Sequence, residues 1–222
     1  MTMPIYAIAP LIVFLLVLFA IAKWGAKQNA QKEQERQKLL GDLGFEAKKE
    51  FSSDIQDVLE LLESHHPSNS IEISSLYQHR THPQWQLGFK VNYESEDEPI
   101  FIIRGTKRYP ISLIVSIPSM EGVAGKMIEF IIKKIQVPHL KKVEITDPKL
   151  LPYYKIFSDN PNDLSNQLTN ATLEELKEHG HFAIHLEGYL MVVSLFHLHD
   201  TNATLEQNIQ RFIDIAKTIQ KA

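Results

Sequence analysis

Five histidines and an aspartate crowd one short stretch of this 222-residue chain: His179, His181, His185, His197, His199 and Asp200. Imidazoles with a carboxylate make a reasonable zinc or iron set. His197 and His199, two apart, share one side of a strand, and with Asp200 they are the candidate metal ligands. Glu187-Gly188 reads as a two-residue hairpin connection between Phe182 to Leu186 and Tyr189 to Leu198. In that register Phe182, Ile184 and Leu186 share a face with Met191, Val193, Leu195 and His197, while His181 and His185 point to the other face. One side then supplies at most a histidine pair plus Asp200, and further ligands must come from elsewhere. The simpler account has His197 and His199 at a strand end and Asp200 capping the final helix.

Other templates for chemistry fail. Gly122-Val123-Ala124-Gly125-Lys126-Met127 has too short a glycine spacing for a phosphate loop, and Met127 replaces the required hydroxyl residue. No GxSxG elbow, HExxH helix or GxGxxG turn is present, and the absence of cysteine excludes disulfides, thiolate metal sites and cysteine nucleophiles. His65-His66 before Pro67 reads as a helix end and turn, and His79, Arg80 and His82 lack a partnered nucleophile. Arg104, Lys107 and Arg108 form a basic loop tip suited to phosphate or a lipid head group. The acidic run Glu94, Glu96, Asp97 and Glu98 reads as a solvated loop. A net charge of -4 argues against a nucleic-acid-binding body.

The elements that would position these residues begin with a membrane anchor. From Ile5 to Ala22 the chain is an almost unbroken apolar run, and Lys23 is its first charged side chain. A helix crossing the bilayer needs roughly 20 mostly apolar residues, so residues 1–24 are expected to form one transmembrane helix. A cleaved signal peptide fits less well, because no basic residue precedes the run and the run exceeds the usual apolar stretch. Lys23, Lys27, Lys32, Arg36 and Lys38 follow the run, which places the C-terminal side in the cytoplasm. Residues 25–42, rich in Lys, Gln, Glu, Arg and Ala, read as a polar helical stalk without a coiled-coil seam. Residues 43–222 then hold a single domain.

Within that domain the periodicity predicts an α+β fold of mostly antiparallel sheet packed by helices and closed by an amphipathic helix. Ser53 with Gln56 forms a capping box for a helix carrying Ile55, Val58, Leu59 and Leu62. Leu87, Phe89, Val91 and Tyr93 alternate as a strand. Pro99 to Ile103 and Ile111 to Ile117 read as two more strands joined by a Gly-Thr-Lys-Arg loop. Met127 to Val137 reads as a helix. Asp147-Pro148 and Asn160-Pro161 each read as a helix start. Thr169 to Glu174 recurs as Thr201 to Glu206, and both copies start helices, with Thr172–Glu175 and Thr204–Gln207 as capping boxes. The last helix carries Leu205, Ile209, Phe212, Ile213, Ala216 and Ile219 along one stripe.

The strings Val143-Glu144-Ile145-Thr146-Asp147-Pro148, Tyr153 to Asp159, Leu168-Thr169 and Gly188-Tyr189-Leu190 resemble those of an uncharacterised family of bacterial membrane-anchored proteins. The likeness covers about a third of the chain; Asn162 to Asn166 departs from the arginine-containing helix typical there. It implies a bacterial inner-membrane setting and supplies no catalytic residue or cofactor. Two readings of function are open. The first is a non-enzymatic, single-span protein, held in the bilayer through Ile5 to Ala22, whose cytoplasmic domain binds or scaffolds a protein partner. The second is a membrane-tethered metal-dependent enzyme using His197, His199 and Asp200.

Overall fold

The computed structural model describes residues 19, 23, 24, 27, 30–48, 53–65, 71–91, 97–117, 126, 130, 137, 139–195 and 204–221. They fall into two compact units, Met1–Gly44 and Phe45–Ala222. In the first unit, α1 (30–42) is a largely exposed helix in which Glu33 pairs with Arg36 and accepts a hydrogen bond from Gln37 Nε2 at 2.9 Å. Such i,i+3 and i,i+4 contacts support a helix with little apolar surface. Gly44, at φ 87°, closes it by donating its amide hydrogen bond to the Gly41 carbonyl. Among the described residues no helix is long and apolar enough to cross a membrane. The run Ile5 to Ala22 lies outside them, except for Phe19, which is helical and exposed, as is Trp24.

The second unit is one antiparallel sheet with helices on both faces. Its strands are β1 (Phe45–Ala47), β2 (Ile73–His79), β3 (Trp85–Lys90), β4 (Glu98–Ser116), β5 (Lys141–Lys142), β6 (Tyr154–Ser158) and β7 (Phe182–Leu195). The order is β1-β2-β3-β4-β6-β5, with β7 alongside β4. All pairings are antiparallel. The helices are α2 (Ser53–His65), α3 (Pro161–Gln167), α4 (Asn170–Lys177) and α5 (Leu205–Lys221).

Two expected turns are not turns. Residues 98–116 form one 19-residue strand through Gly-Thr-Lys-Arg, and residues 182–195 form one 14-residue strand through Glu187-Gly188. The two run side by side from Ile100↔Ser194 to Val115↔Ala183, and the register shifts between Arg104↔Leu190 and Tyr109↔Gly188 and again before Ser112↔Leu186. Gly188 takes φ 57°, whereas Glu187 does not have the positive φ that a type I′ hairpin demands. The glycine therefore makes a bulge that bends the strand without reversing it.

The bulge inverts side-chain parity in both strands. On one face Leu113 and Val115 of β4 give way to Ile102 and Ile100, and Ala183 and His185 of β7 give way to Leu190 and Val192. That face takes α2, whose Ile55, Val58, Leu61 and Leu62 pack on Ile73, Leu76, Ile100, Ile102, Leu190 and Val192. A second apolar cluster on it joins Leu113, Val115, Ile117, Val137, Phe157 and Ala183. The helix expected over Met127 to Val137 lies outside the described residues apart from Phe130, which is helical, and Val137. The opposite face takes α5, where Phe212 stacks on Phe101 at 5.8 Å and Ile209, Ile215, Ala216 and Ile219 are buried.

Helix starts follow local chemistry. Asn160 caps α3 by accepting the Asp163 amide, with Pro161 opening the helix. Asp147-Pro148 instead makes a turn, in which Asp147 Oδ1 accepts the Lys149 amide at 2.9 Å. The repeated string caps at different threonines. Thr169, the first residue of its copy, caps α4 through the Thr172 amide, and Glu175 reaches Thr218 of α5 at 2.9 Å. Thr204, the fourth of its copy, exchanges bonds with Gln207 at 2.8 and 3.3 Å, a complete capping box.

Candidate functional site

A continuous β7 carries His185 away from the far end of the strand. His185 lies ten residues before the end of the strand, roughly 33 Å away at about 3.3 Å per residue, whereas a hairpin would have folded the two halves together. His197, His199 and Asp200 lie outside the described residues. His179 ends the α4 turn, and its carbonyl accepts both Nε and Nη2 of Arg211 at 3.2 and 2.8 Å. Among the described residues no three His, Cys, Asp or Glu side chains gather as a metal site.

The structure brings together a different pair. His65, the last residue of α2, and His185, in the middle of β7's first half, are 5 % and 2 % exposed. Their Nδ1 atoms are 2.7 Å apart and their rings stack at 5.0 Å and 22°. Two Nδ1 atoms at that distance share a single proton, one nitrogen donating and the other accepting. Separated by 120 residues, the two histidines have no local spacing that would reveal them. The only legible signal was that His185 falls on the sheet face opposite Phe182, Ile184 and Leu186.

Charged groups also lie on the α2 side of the sheet. Arg104 pairs with Asp57 of α2 at 3.1 Å. Burial raises the Glu187 carboxyl above its ordinary range, and Asp159, Asp57 and Glu60 raise it further. The expected basic loop tip is therefore the outer part of a strand bulge: Lys107 sits over the Tyr109 ring at 5.7 Å, and Arg108 is exposed.

At the far corner of the sheet, His79 shapes the β2–β3 turn. Its Nδ1 accepts the amides of Thr81 and His82 at 3.3 and 3.2 Å, which fixes its ring proton on Nε2. The ring meets Phe45 and Trp85 edge-on, and His82 stacks on Trp85 at 4.4 Å. Arg80 pairs with Glu46. These groups build a turn and an aromatic corner. The acidic loop is similarly engaged where it is described: Asp97 accepts Ser74 Oγ at 2.6 Å, and Glu98 pairs with Lys90 at 3.0 Å.

A cleft of about 250 Å³ opens where the chain after β5 leaves the sheet edge. Val143 still donates its amide to the Ile156 carbonyl at 2.9 Å, and beyond it Glu144 to Thr146 form one wall, α3 and α4 the other. Ile156, Leu164, Leu168 and Leu173 make an apolar floor. Thr146 and Asn170 close one end through a 3.1 Å bond. An apolar floor with a few polar groups at the rim is the usual composition of a binding cleft.

No family model matches the chain, and no curated protein matches it by sequence. A solved structure, that of the mycobacterial trehalose monomycolate transport factor A, is similar in fold. It aligns with a TM-score of 0.51 at 8 % identity over 84 % of this chain and 93 % of that one. The likeness is one of fold.

Proposed function

We propose that this chain is a single-pass protein of a bacterial inner membrane whose α+β domain stands on the cytoplasmic side and binds or scaffolds a partner without catalysing a reaction. The observation that carries the reading is the fold shared along most of both chains with a protein named as a transport factor. The apolar run Ile5 to Ala22, followed by five basic residues, supports the anchor and its direction. The membership suggested by the C-terminal strings fits the same setting. The cleft over β6 is the candidate contact region, since its floor is apolar and its rim carries Thr146, Ser165 and Asn170.

Capture of the full chain from native membranes tests the reading. The wild type is expected to retain a recurring partner that an Asn170→Arg variant loses. Fusion of alkaline phosphatase after Ala222 is expected to stay inactive, and an active fusion refutes the orientation. Metal analysis addresses catalysis. Stoichiometric zinc or iron that disappears in a His197→Ala/His199→Ala double variant would sink the non-enzymatic reading.

A further inference from the structure

We infer that the His65–His185 pair is a proton-operated latch that holds the end of α2 on the sheet while at most three protons occupy its four ring nitrogens, and releases it when the fourth arrives. The inference rests on the geometry of the pair and is independent of the partner reading above.

The Nδ1 atoms lie 2.7 Å apart, in rings that are almost wholly buried. With two protons the pair is neutral: one Nδ1 carries the bridging proton and the other ring is protonated at Nε2. A third proton goes to the Nε2 of the donating ring. The bridge survives and becomes charge-assisted, which strengthens it. A fourth proton can go only to the accepting Nδ1. Two N–H groups then oppose each other across 2.7 Å, and two imidazolium ions sit buried side by side. Separation of the rings relieves both penalties.

The surroundings favour the third proton. The pair lies at the C-terminal end of α2, where the helix dipole favours a cation. Among the described residues, the charged groups on this side of the sheet include Asp57, Glu60 and Glu63 from α2, Glu187 from β7, Arg104 from β4, Lys155 and Asp159 from β6 and its end, Lys142 beside Lys155, and Lys90 paired with Glu98 farther along the sheet. His139, beside the second apolar cluster, is exposed. Five carboxyl groups, those of Asp57, Glu60, Glu63, Glu187 and Asp159, against Arg104, Lys155 and Lys142 leave negative charge in excess, and Lys90 with Glu98 cancels. Acidification weakens that excess as Glu187, whose carboxyl is raised by burial and neighbouring carboxylates, takes up its proton. The latch therefore changes from bridged monocation to separated rings as acid accumulates.

What the latch holds is set by packing. Leu61 and Leu62, one turn before His65, belong to the cluster against Ile100, Ile102, Leu190 and Val192. Release of His65 lets that turn lift and uncovers apolar surface on β4 and β7. Acid thus exposes a surface that neutral pH keeps covered.

The test uses the full chain in lipid nanodiscs, with amide exchange corrected for intrinsic rates from pH 8 to pH 5. Below the ordinary histidine titration near pH 6.5, protection of α2 residues 58–65 is expected to fall by about tenfold per pH unit, while that of β3 stays level. His65→Asn puts an amide near the Nδ1 position and cannot take the extra ring proton, so it is expected to flatten this slope. Nitrogen-15 spectra of labelled histidine in the wild type decide the case even if that variant does not fold. One protonated and one bare Nδ1 must persist until α2 loses protection. The latch is overturned if both rings become imidazolium with α2 protection unchanged, or if His65→Asn keeps the wild-type slope.

Discussion

Gly188 offers a test of the β7 bulge, because its backbone and its surroundings make opposite demands. At φ 57° it sits in the left-handed region, yet a Cβ built there would meet no heavy atom within 4 Å. The cost of a side chain is therefore conformational, about 1–2 kcal/mol for an L residue, and should not grow with side-chain size. Gly188→Ala, Gly188→Gln and Gly188→Leu should lose nearly the same stability, with Gly188→Asn losing less. Gly88 is the converse control. Its φ is not in that region, but its Cβ would lie 3.2 Å from Ile100 Cγ1. Gly88→Ala needs a shift of a few tenths of an ångström by one side chain, and loss of glycine's freedom in the unfolded chain returns about 0.4–1 kcal/mol. Alanine should be near neutral there, while Gly88→Leu should cost about 1–3 kcal/mol by overpacking. Urea unfolding of the full chain in detergent, followed by circular dichroism, measures both series. A neutral Gly188→Ala, or a Gly188 series whose cost climbs with size, refutes the left-handed open bulge.

Three further outcomes are expected. Burial pushes the Tyr109 phenol up to about 12, so the folded state keeps a proton that the unfolded chain releases from about pH 10. The stabilisation is complete below pH 10 and lost as pH rises toward 12; Tyr109→Phe should shrink that alkaline loss while costing little at pH 8, since the bond to the Ile219 carbonyl is 3.4 Å long. Ser158→Ala should cost about 1–3 kcal/mol and Ser112→Ala less. Ser158 Oγ accepts both the Asn160 amide at 3.1 Å and the Ser112 hydroxyl at 2.9 Å, whereas Ser112 removal leaves Asn160 satisfied. Equal unfolding midpoints for the two would contradict this. Replacing His65 or His185 singly by Leu should destabilise by about 1–3 kcal/mol, and replacing both should recover most of it, because each single removes the partner of the other ring's buried Nδ1. A double variant as unstable as the sum of the singles would show that the pair does not act as a unit.

The sequence made the helices more legible than the connections. The α2 and α5 stripes could be read because helical periodicity is local, although Leu61 and Ile215 join the core beside the residues that the spacing picked out. Gly188 misleads for a physical reason. A hairpin turn and a bulge draw on the same glycine chemistry, and a bulge also flips the alternation, so either side of it looks like a separate strand. What distinguishes them is the partner strand, which lies some eighty residues away. The assignment of His185 to the face opposite Phe182 is the same in both arrangements, because the parity of residues 182–186 is set before the chain reaches Glu187. The closeness expected between His185 and the far end of the strand depended on the reversal, and a continuous β7 removes it. The repeated Thr-Asn-Ala-Thr-Leu-Glu string shows the limit of local capping rules: identical residues start helices three positions apart, since each string offers two threonines able to cap.

The placement of the histidine pair follows from that same bulge. Where parity flips, the α2 face of the sheet is divided into two apolar clusters, one under α2 and one around Leu113 and Phe157. Polar groups occupy the seam: Arg104 with Asp57, then Glu187, then His185. A helix lying across the seam runs out of apolar contact near Leu62 and cannot continue by hydrophobic packing alone. Its last residue is held by a hydrogen bond instead, and the donor and acceptor are both imidazoles, side chains whose ordinary titration lies close to neutral pH. Serine or asparagine would have given a comparable bond without that sensitivity. A single irregularity in two long strands thus accounts for the separation of His185 from the far end of β7, the division of the core and the siting of the His65–His185 bond at the seam.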